Sequence, residues 1–183
     1  MSRLKAHYQQ EVVQQLQSQL ELGNVHQVPA IEKVVINVGA GRALQDARLL
    51  ETAKTTLRKI TGQEPVATRA SQSVAGFKLR EGNAIGAKVT LRGERMYEFL
   101  DRLITFVLPR SRDFRGLSQH AFDPNGNYSL GIADQSVFPE LTYEDTSITH
   151  GLQINVVTTT QDKEQSLALL QTLGFPFERS DNG

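Results

Sequence analysis

Few side chains in this sequence are arranged for catalysis. Its four histidines, His7, His26, His120 and His150, are scattered without metal-ligand spacing such as H-x-x-x-H, so each reads as a surface or packing residue. There is no cysteine, which excludes disulfide scaffolds, zinc ribbons, iron–sulfur sites and thiol nucleophiles. No G-x-S-x-G elbow marks a serine nucleophile, although a triad can also assemble in space from distant residues. The best remaining candidate for ligand chemistry is the glycine turn Val38-Gly39-Ala40-Gly41-Arg42-Ala43-Leu44. A dinucleotide fingerprint would place glycine at 44 and an acid some 20 residues further on, where this chain has Leu44 and Arg58-Lys59. The turn at 39–42 therefore leaves one catalytic reading open: an α+β enzyme that holds phosphate on backbone amides.

A second set of residues suits binding rather than reaction. Ile31–Val38 reads as a strand, with Val34, Ile36 and Val38 on one face and Lys33, Val35 and Asn37 on the other. Ile85–Arg92 alternates in the same way and turns Lys88, Thr90 and Arg92 away from Ile85, Ala87, Val89 and Leu91. Lys33, Asn37, Lys88, Thr90 and Arg92 then lie on the sheet face that the helices leave open. That face carries no aromatic residue for base stacking. Amide, hydroxyl and cationic groups bond phosphate, sugar and base edges, which suits a folded RNA read by shape and backbone.

The elements that position these residues follow from periodicity. Ser2 caps a first helix with Leu4, Tyr8, Val12, Val13, Leu16 and Leu20 at helical spacing, a glutamine-rich opposite face, and a stop at Gly23-Asn24. After the first strand, a helix carries Ala47, Leu50, Ala53, Leu57 and Ile60, with Gly62 as its C-terminal cap. A short strand, 63–69, begins near an edge because of Pro65, and residues 71–83 form a loop. A third helix buries Met96, Leu100, Leu103 and Val107 and is expected to end at Pro109. The 122–128 segment is a hairpin turn signal. An irregular acidic stretch follows at 134–145. A strand with Leu152, Ile154 and Val156 comes next, then a helix capped by Thr160 or Asp162 that carries Leu167, Leu170 and Leu173 and stops at Gly174. Strand, helix, strand, strand, helix and, after an insertion, strand and helix is close to a split βαβ, ferredoxin-like-related α+β fold: an antiparallel or mixed sheet with helices on one face.

At 183 residues the chain can bury roughly 70% of its unfolded surface and needs no metal or disulfide to hold a core. No apolar run is long enough to span a membrane, and the polar start lacks a signal-peptide core, so a cytoplasmic protein is expected. The 20 basic and 20 acidic side chains cancel, but unevenly. Residues 32–115 hold 16 bases and 9 acids, net +7, and residues 116–183 hold two bases and nine acids, net −7. Such asymmetry points to an anionic partner for the middle of the chain and a different partner for its end.

Several segments resemble, in order, the bacterial large-subunit ribosomal protein L-five family. They are Glu32–Gly39, Lys59–Pro65, Gly76–Gly82, Lys88–Gly93, Pro109–Gly116, Asn127–Gly131 and Phe138–Glu140. The resemblance implies a single RNA-binding α+β domain over 1–183, with an extended loop at about 71–84 and a loose tail at about 178–183. It implies a structural role in the ribosomal central protuberance, with no catalysis and no cofactor. The implied partners are 5S rRNA, 23S rRNA, P-site tRNA, a small-subunit head protein at an intersubunit bridge, and other central-protuberance proteins, with no membrane partner. The matching 5S rRNA positions are Asn37, Gln63 and Thr90, with Gly39 beside them and Lys33, Arg69, Lys88 and Arg92 as phosphate contacts. The loop of Gly76, Phe77, Lys78, Leu79, Arg80, Glu81 and Gly82 matches the one that reaches P-site tRNA. Arg110, Arg112 and Arg115, together with the acidic stretch 134–145, match the side that faces the small-subunit protein. Family members are often clearly basic; this chain is neutral overall and acidic after residue 116, so no RNA contact is assigned to its C-terminal part.

Overall fold

The computed structural model describes residues 1–40, 47–77, 79–112 and 114–179. Five strands form one antiparallel sheet in the order β2-β3-β1-β5-β4, where β1 is Ile31–Gly39, β2 Val66–Arg69, β3 Ala84–Leu91, β4 Tyr128–Ile132 and β5 Leu152–Thr158. The expected α+β class is observed. β2 lies at an edge, as Pro65 suggested. β4 falls where the sequence pattern marks only a turn; its Tyr128, Leu130 and Ile132 are buried alternately, so the period-2 signal is present but spans only five residues.

The residues gather into two compact units, Met1–Val34 with Leu91–Leu130 and Asn155–Gly183, and Val35–Thr90 with Gly131–Ile154. In the first, helix α1 spans 3–19. Ser2 caps it through Oγ, which accepts the Lys5 amide at 3.3 Å, and a wider π-type turn, Tyr8–Val12, interrupts it. Leu4, Val12 and Leu16 are buried, while the glutamines at 9, 10, 14, 15 and 19 face water. Lys5 Nζ and the Ser2 amide both bond Glu94 (2.9 and 2.8 Å), and Arg3 pairs with Asp101, which fastens α1 to the helix that begins at Gly93. Those contacts hold the Glu94 carboxyl below its usual range, first through Lys5.

Helix α3 spans 93–110 and includes a π-type turn, Leu103–Val107. Met96, Leu100, Leu103 and Val107 are buried as their spacing required. Pro109 does not end the helix. It sits in the last turn, one residue before the helix stops at Arg110, and the Ser111 amide closes that turn on the Leu108 carbonyl at 3.2 Å. Helix α4, Lys163–Leu173, is capped by Asp162, whose Oδ1 accepts the Glu164 amide at 2.9 Å, and it stops at Gly174 with φ +106°. Its inward residues are Ala168, Leu169, Leu170 and Leu173; Leu167 is only half-buried.

In the second unit, helix α2, Ala47–Thr61, buries Ala53, Thr56, Leu57 and Ile60. Ile36, Val38, Ala87, Val89, Ile132, Leu152 and Ile154 supply the strand side of that unit's core.

Candidate nucleic-acid interface

The candidate interface begins where α2 ends. Thr61 is buried, and its hydroxyl donates to the Leu57 carbonyl at 2.6 Å while accepting the Gln63 amide at 3.2 Å. Gly62 takes φ +71°, a left-handed conformation that glycine adopts without a Cβ penalty, and its amide bonds Arg58 O at 2.9 Å. The chain thus turns sharply and delivers Gln63 to the β3 strand, where Nε2 donates to the Thr90 carbonyl at 3.1 Å. Next to it, Arg58 and Glu64 form a two-bond fork, both at 2.7 Å. That hydrogen-bonded pair pushes the Glu64 carboxyl down and the Arg58 guanidinium up.

β3 is set against β1 by the Ala40 amide, which donates to Ile85 O at 2.8 Å. Counting back from that bond along antiparallel strands brings Asn37 level with Lys88 and Val35 level with Thr90. Burial agrees: Ile36 and Val89 are inside, Lys88 is exposed, and Asn37 and Thr90 are half-buried. The strands approach closely at Gly86, where a Cβ would lie 2.4 Å from Val38 O and 2.9 Å from Thr68 Oγ1. Strand β2 pairs with β3 as Val66↔Lys88, Ala67↔Ala87 and Thr68↔Gly86, with an irregularity before Arg69↔Ala84. Arg69 is exposed, and Nη1 donates to Gly82 O at 3.0 Å.

The second unit therefore holds Asn37, Gly39, Gln63, Arg69, Lys88 and Thr90, and Lys33 and Arg92 belong to the first. Among the described residues, the side chains of Lys33, Asn37, Lys88, Thr90 and Arg92 make no hydrogen bond or ion pair. Several other cations are already spoken for by acids of the protein: Arg3 by Asp101, Lys5 by Glu94, Lys54 by Glu51, Arg58 by Glu64 and Lys59 by Asp145. The sequence pattern found the outward residues; it did not find Thr61, which shapes the turn, or Gly86, which sets the strand spacing. A glycine inside an alternating strand is the one signal that could have marked the latter.

The loop after β2 is a tied hairpin extension. Val74 and Leu79 exchange backbone bonds (2.9 and 3.1 Å) around the turn Ala75–Phe77, and the Glu81 amide donates to Ser73 Oγ at 2.8 Å. Gly76, Arg80, Glu81 and Gly82 are exposed, and Leu79 is half-buried. Lys78 lies outside the described residues, as do Gly41 and Arg42 of the glycine turn, Asp113, and tail residues 180–183. Arg110, Arg112 and Arg115 are exposed.

Among the described residues no three His, Asp or Glu side chains gather as a metal site. His150 is a packing residue whose Nε2 lies 3.2 Å from Thr56 Oγ1 and whose amide donates to the buried Gln135 Oε1 at 2.9 Å.

Residues 24–80 match the family model for ribosomal protein L5, and residues 84–177 match the model for the C-terminus of the same ribosomal family. The chain belongs to the ribosomal protein L5 family. It is 53% identical over 178 residues to the large ribosomal subunit protein uL5 of Francisella philomiragia, covering 97% of this chain and 99% of that protein. The uL5 proteins of Francisella tularensis subsp. novicida and Syntrophomonas wolfei are each 52% identical, with the same coverage. The L5 family is structural and non-enzymatic. The reading of an enzyme with a phosphate turn at 39–42 is thereby set aside.

Proposed function

We propose that this chain is a structural constituent of the large subunit of the cytoplasmic ribosome and grips 5S rRNA through β1, β3 and the turn after α2. The observation that carries this reading is the outward row of Asn37, Lys88 and Thr90 beside Gln63, with side-chain donors and cations that no protein group engages in that row. Asn37 and Gln63 offer amides to sugar and base edges, and Thr90 offers a hydroxyl. Gly39, with open space where a Cβ would stand, lets backbone come near phosphate. Lys33, Arg69, Lys88 and Arg92 supply phosphate contacts.

The exposed tip of the β2–β3 extension, with Gly76, Arg80 and Gly82, is the part that reaches P-site tRNA. Arg110, Arg112 and Arg115, together with the acidic stretch 134–145, provide the contact to a small-subunit head protein. Contacts to 23S rRNA and to other proteins of the central protuberance complete the reading.

Replacing Asn37, Gln63 and Thr90 together with alanine tests the first claim. Loss of base-edge and sugar contacts is expected to weaken 5S rRNA binding by at least ten-fold, while circular dichroism and the thermal midpoint stay near wild type. Unaltered 5S affinity in the triple variant would place the RNA elsewhere.

A further inference from the structure

Among the described residues, the most exposed large hydrophobic side chain is not on the proposed RNA face but on the acidic stretch. Tyr143 is 93% exposed. The backbone on both sides of it is nevertheless fixed. The Thr142 amide and hydroxyl both donate to Asp145 Oδ2 (2.8 and 2.9 Å), and Thr146 Oγ1 donates to Tyr143 O at 3.1 Å. Lys59, in the last turn of α2, closes over the same carboxylate, with Nζ 2.8 and 2.6 Å from its two oxygens. The Asp145 side chain is only 11% exposed. A tyrosine held out into water on a loop this firmly tied buries almost none of its own surface in the chain, so the tie does not serve Tyr143 packing.

We propose that Lys59 is a positioning residue: by holding Asp145 it preforms the 142–146 turn, so that Tyr143 stands ready to anchor a basic protein segment. This rests on the reading that the stretch faces a small-subunit protein, and it names the residue that does the recognising and the one that orients it. The occupant is fixed by charge. Asp134 and Glu144 are exposed on this stretch and repel phosphate. The electron-rich face of a tyrosine attracts a guanidinium or ammonium. A protein segment bearing arginine or lysine satisfies both; an RNA satisfies neither. Preforming the turn lowers the ordering cost that such a loop would otherwise meet on binding.

The arrangement also joins two tasks on one helix end. Arg58 holds Glu64 beside the Gln63 turn, and the next residue, Lys59, holds the Tyr143 turn.

The test uses large subunits reconstituted with wild-type protein or with Y143A, K59M, K59R, or the K59M/Y143A double variant. 5S rRNA content and association with purified small subunits at limiting magnesium are measured for each. Y143A is expected to retain 5S rRNA and to weaken association at least three-fold. K59M is expected to weaken it less and K59R to restore it. The double variant should associate no worse than Y143A alone, because Lys59 acts through Tyr143. Hydrogen exchange at the Thr142 amide is expected to speed up in K59M. Wild-type association by Y143A would overturn the proposal, as would additive losses in the double variant. Failure of the wild-type protein to bring 5S rRNA into the subunit would instead overturn the 5S reading and leave the loop proposal judged by association alone.

Discussion

Gly86 is the position where one added methyl group meets the most resistance near the interface. Its ideal Cβ would stand 2.4 Å from the Val38 carbonyl, a backbone atom that can yield only if β1 moves. Gly86→Ala is expected to lower stability by about 3 kcal/mol, the upper part of the overpacking range, measured as a drop in urea midpoint. A fall below about 0.5 kcal/mol would mean that β1 and β3 part easily at this point, against the close approach described.

Asp145 carries a pH signature. The hydrogen bond from Lys59, followed by that from the Thr142 amide, pulls its carboxyl from 3.8 down to about 2. A depressed folded-state value stabilises the fold above the unfolded pKa and is lost as protons bind, so this contribution fades as pH falls from about 4 to about 2. Asp145→Asn should flatten that part of the stability profile, followed by urea denaturation across pH. At this scale the sequence was half legible. Period-2 alternation placed Asn37, Lys88 and Thr90 outward because it depends only on neighbours along the strand. The Lys59–Asp145 tie joins residues 86 positions apart, and no local pattern encodes it.

Elements were read more fully than residues. Ser2 and Gly174 cap where expected, and Asp162 rather than Thr160 is the cap of α4: Asp162 Oδ1 accepts the Glu164 amide, while Thr160 Oγ1 accepts the Asp162 amide and donates to Gln165 Oε1. Two features escaped. The π-type turns at Tyr8–Val12 and Leu103–Val107 depend on which carbonyl each backbone amide reaches, which the apolar side-chain pattern does not report, and the helix runs one residue beyond Pro109. The hairpin signal at 122–128 is an Asp123 turn, in which Oδ1 accepts the Asn125 and Asn127 amides, both at 2.9 Å. That turn is locked from behind: Thr158 Oγ1 and Ser166 Oγ lie 3.1 Å apart and both meet the Gly126 carbonyl, at 2.9 and 2.6 Å. Ser166→Ala, which strips a buried donor from that carbonyl, is expected to cost about 1–3 kcal/mol, checked by denaturant titration. The β2–β3 extension gives an element-scale functional prediction. Shortening its tip between Val74 and Leu79 should leave 5S rRNA affinity intact and impair P-site tRNA placement in reconstituted ribosomes. A loss of 5S binding would move the loop into the RNA platform.

For the molecule as a whole, the neutral charge hides a division of labour. The net of +7 over residues 32–115 includes cations already neutralised by the protein, such as Arg58 and Lys59, and others left open to a partner, such as Lys33, Lys88 and Arg92. Composition showed the asymmetry but not which charges remain free, because pairing is settled only when the chain folds. The open cations set the salt response. The four proposed phosphate contacts, from Lys33, Arg69, Lys88 and Arg92, would release counterions in proportion, so log affinity is expected to fall against log salt with a slope of about −3.

The most direct measurement is a 5S rRNA gel-shift titration across monovalent salt, run with wild-type protein and with K88Q/R92Q. The wild type should bind with a slope of about −3 and the double variant more weakly with a slope shallower by about 1.5. Binding that ignores salt, or a double variant with the wild-type slope and affinity, would contradict the assignment of this sheet face to RNA.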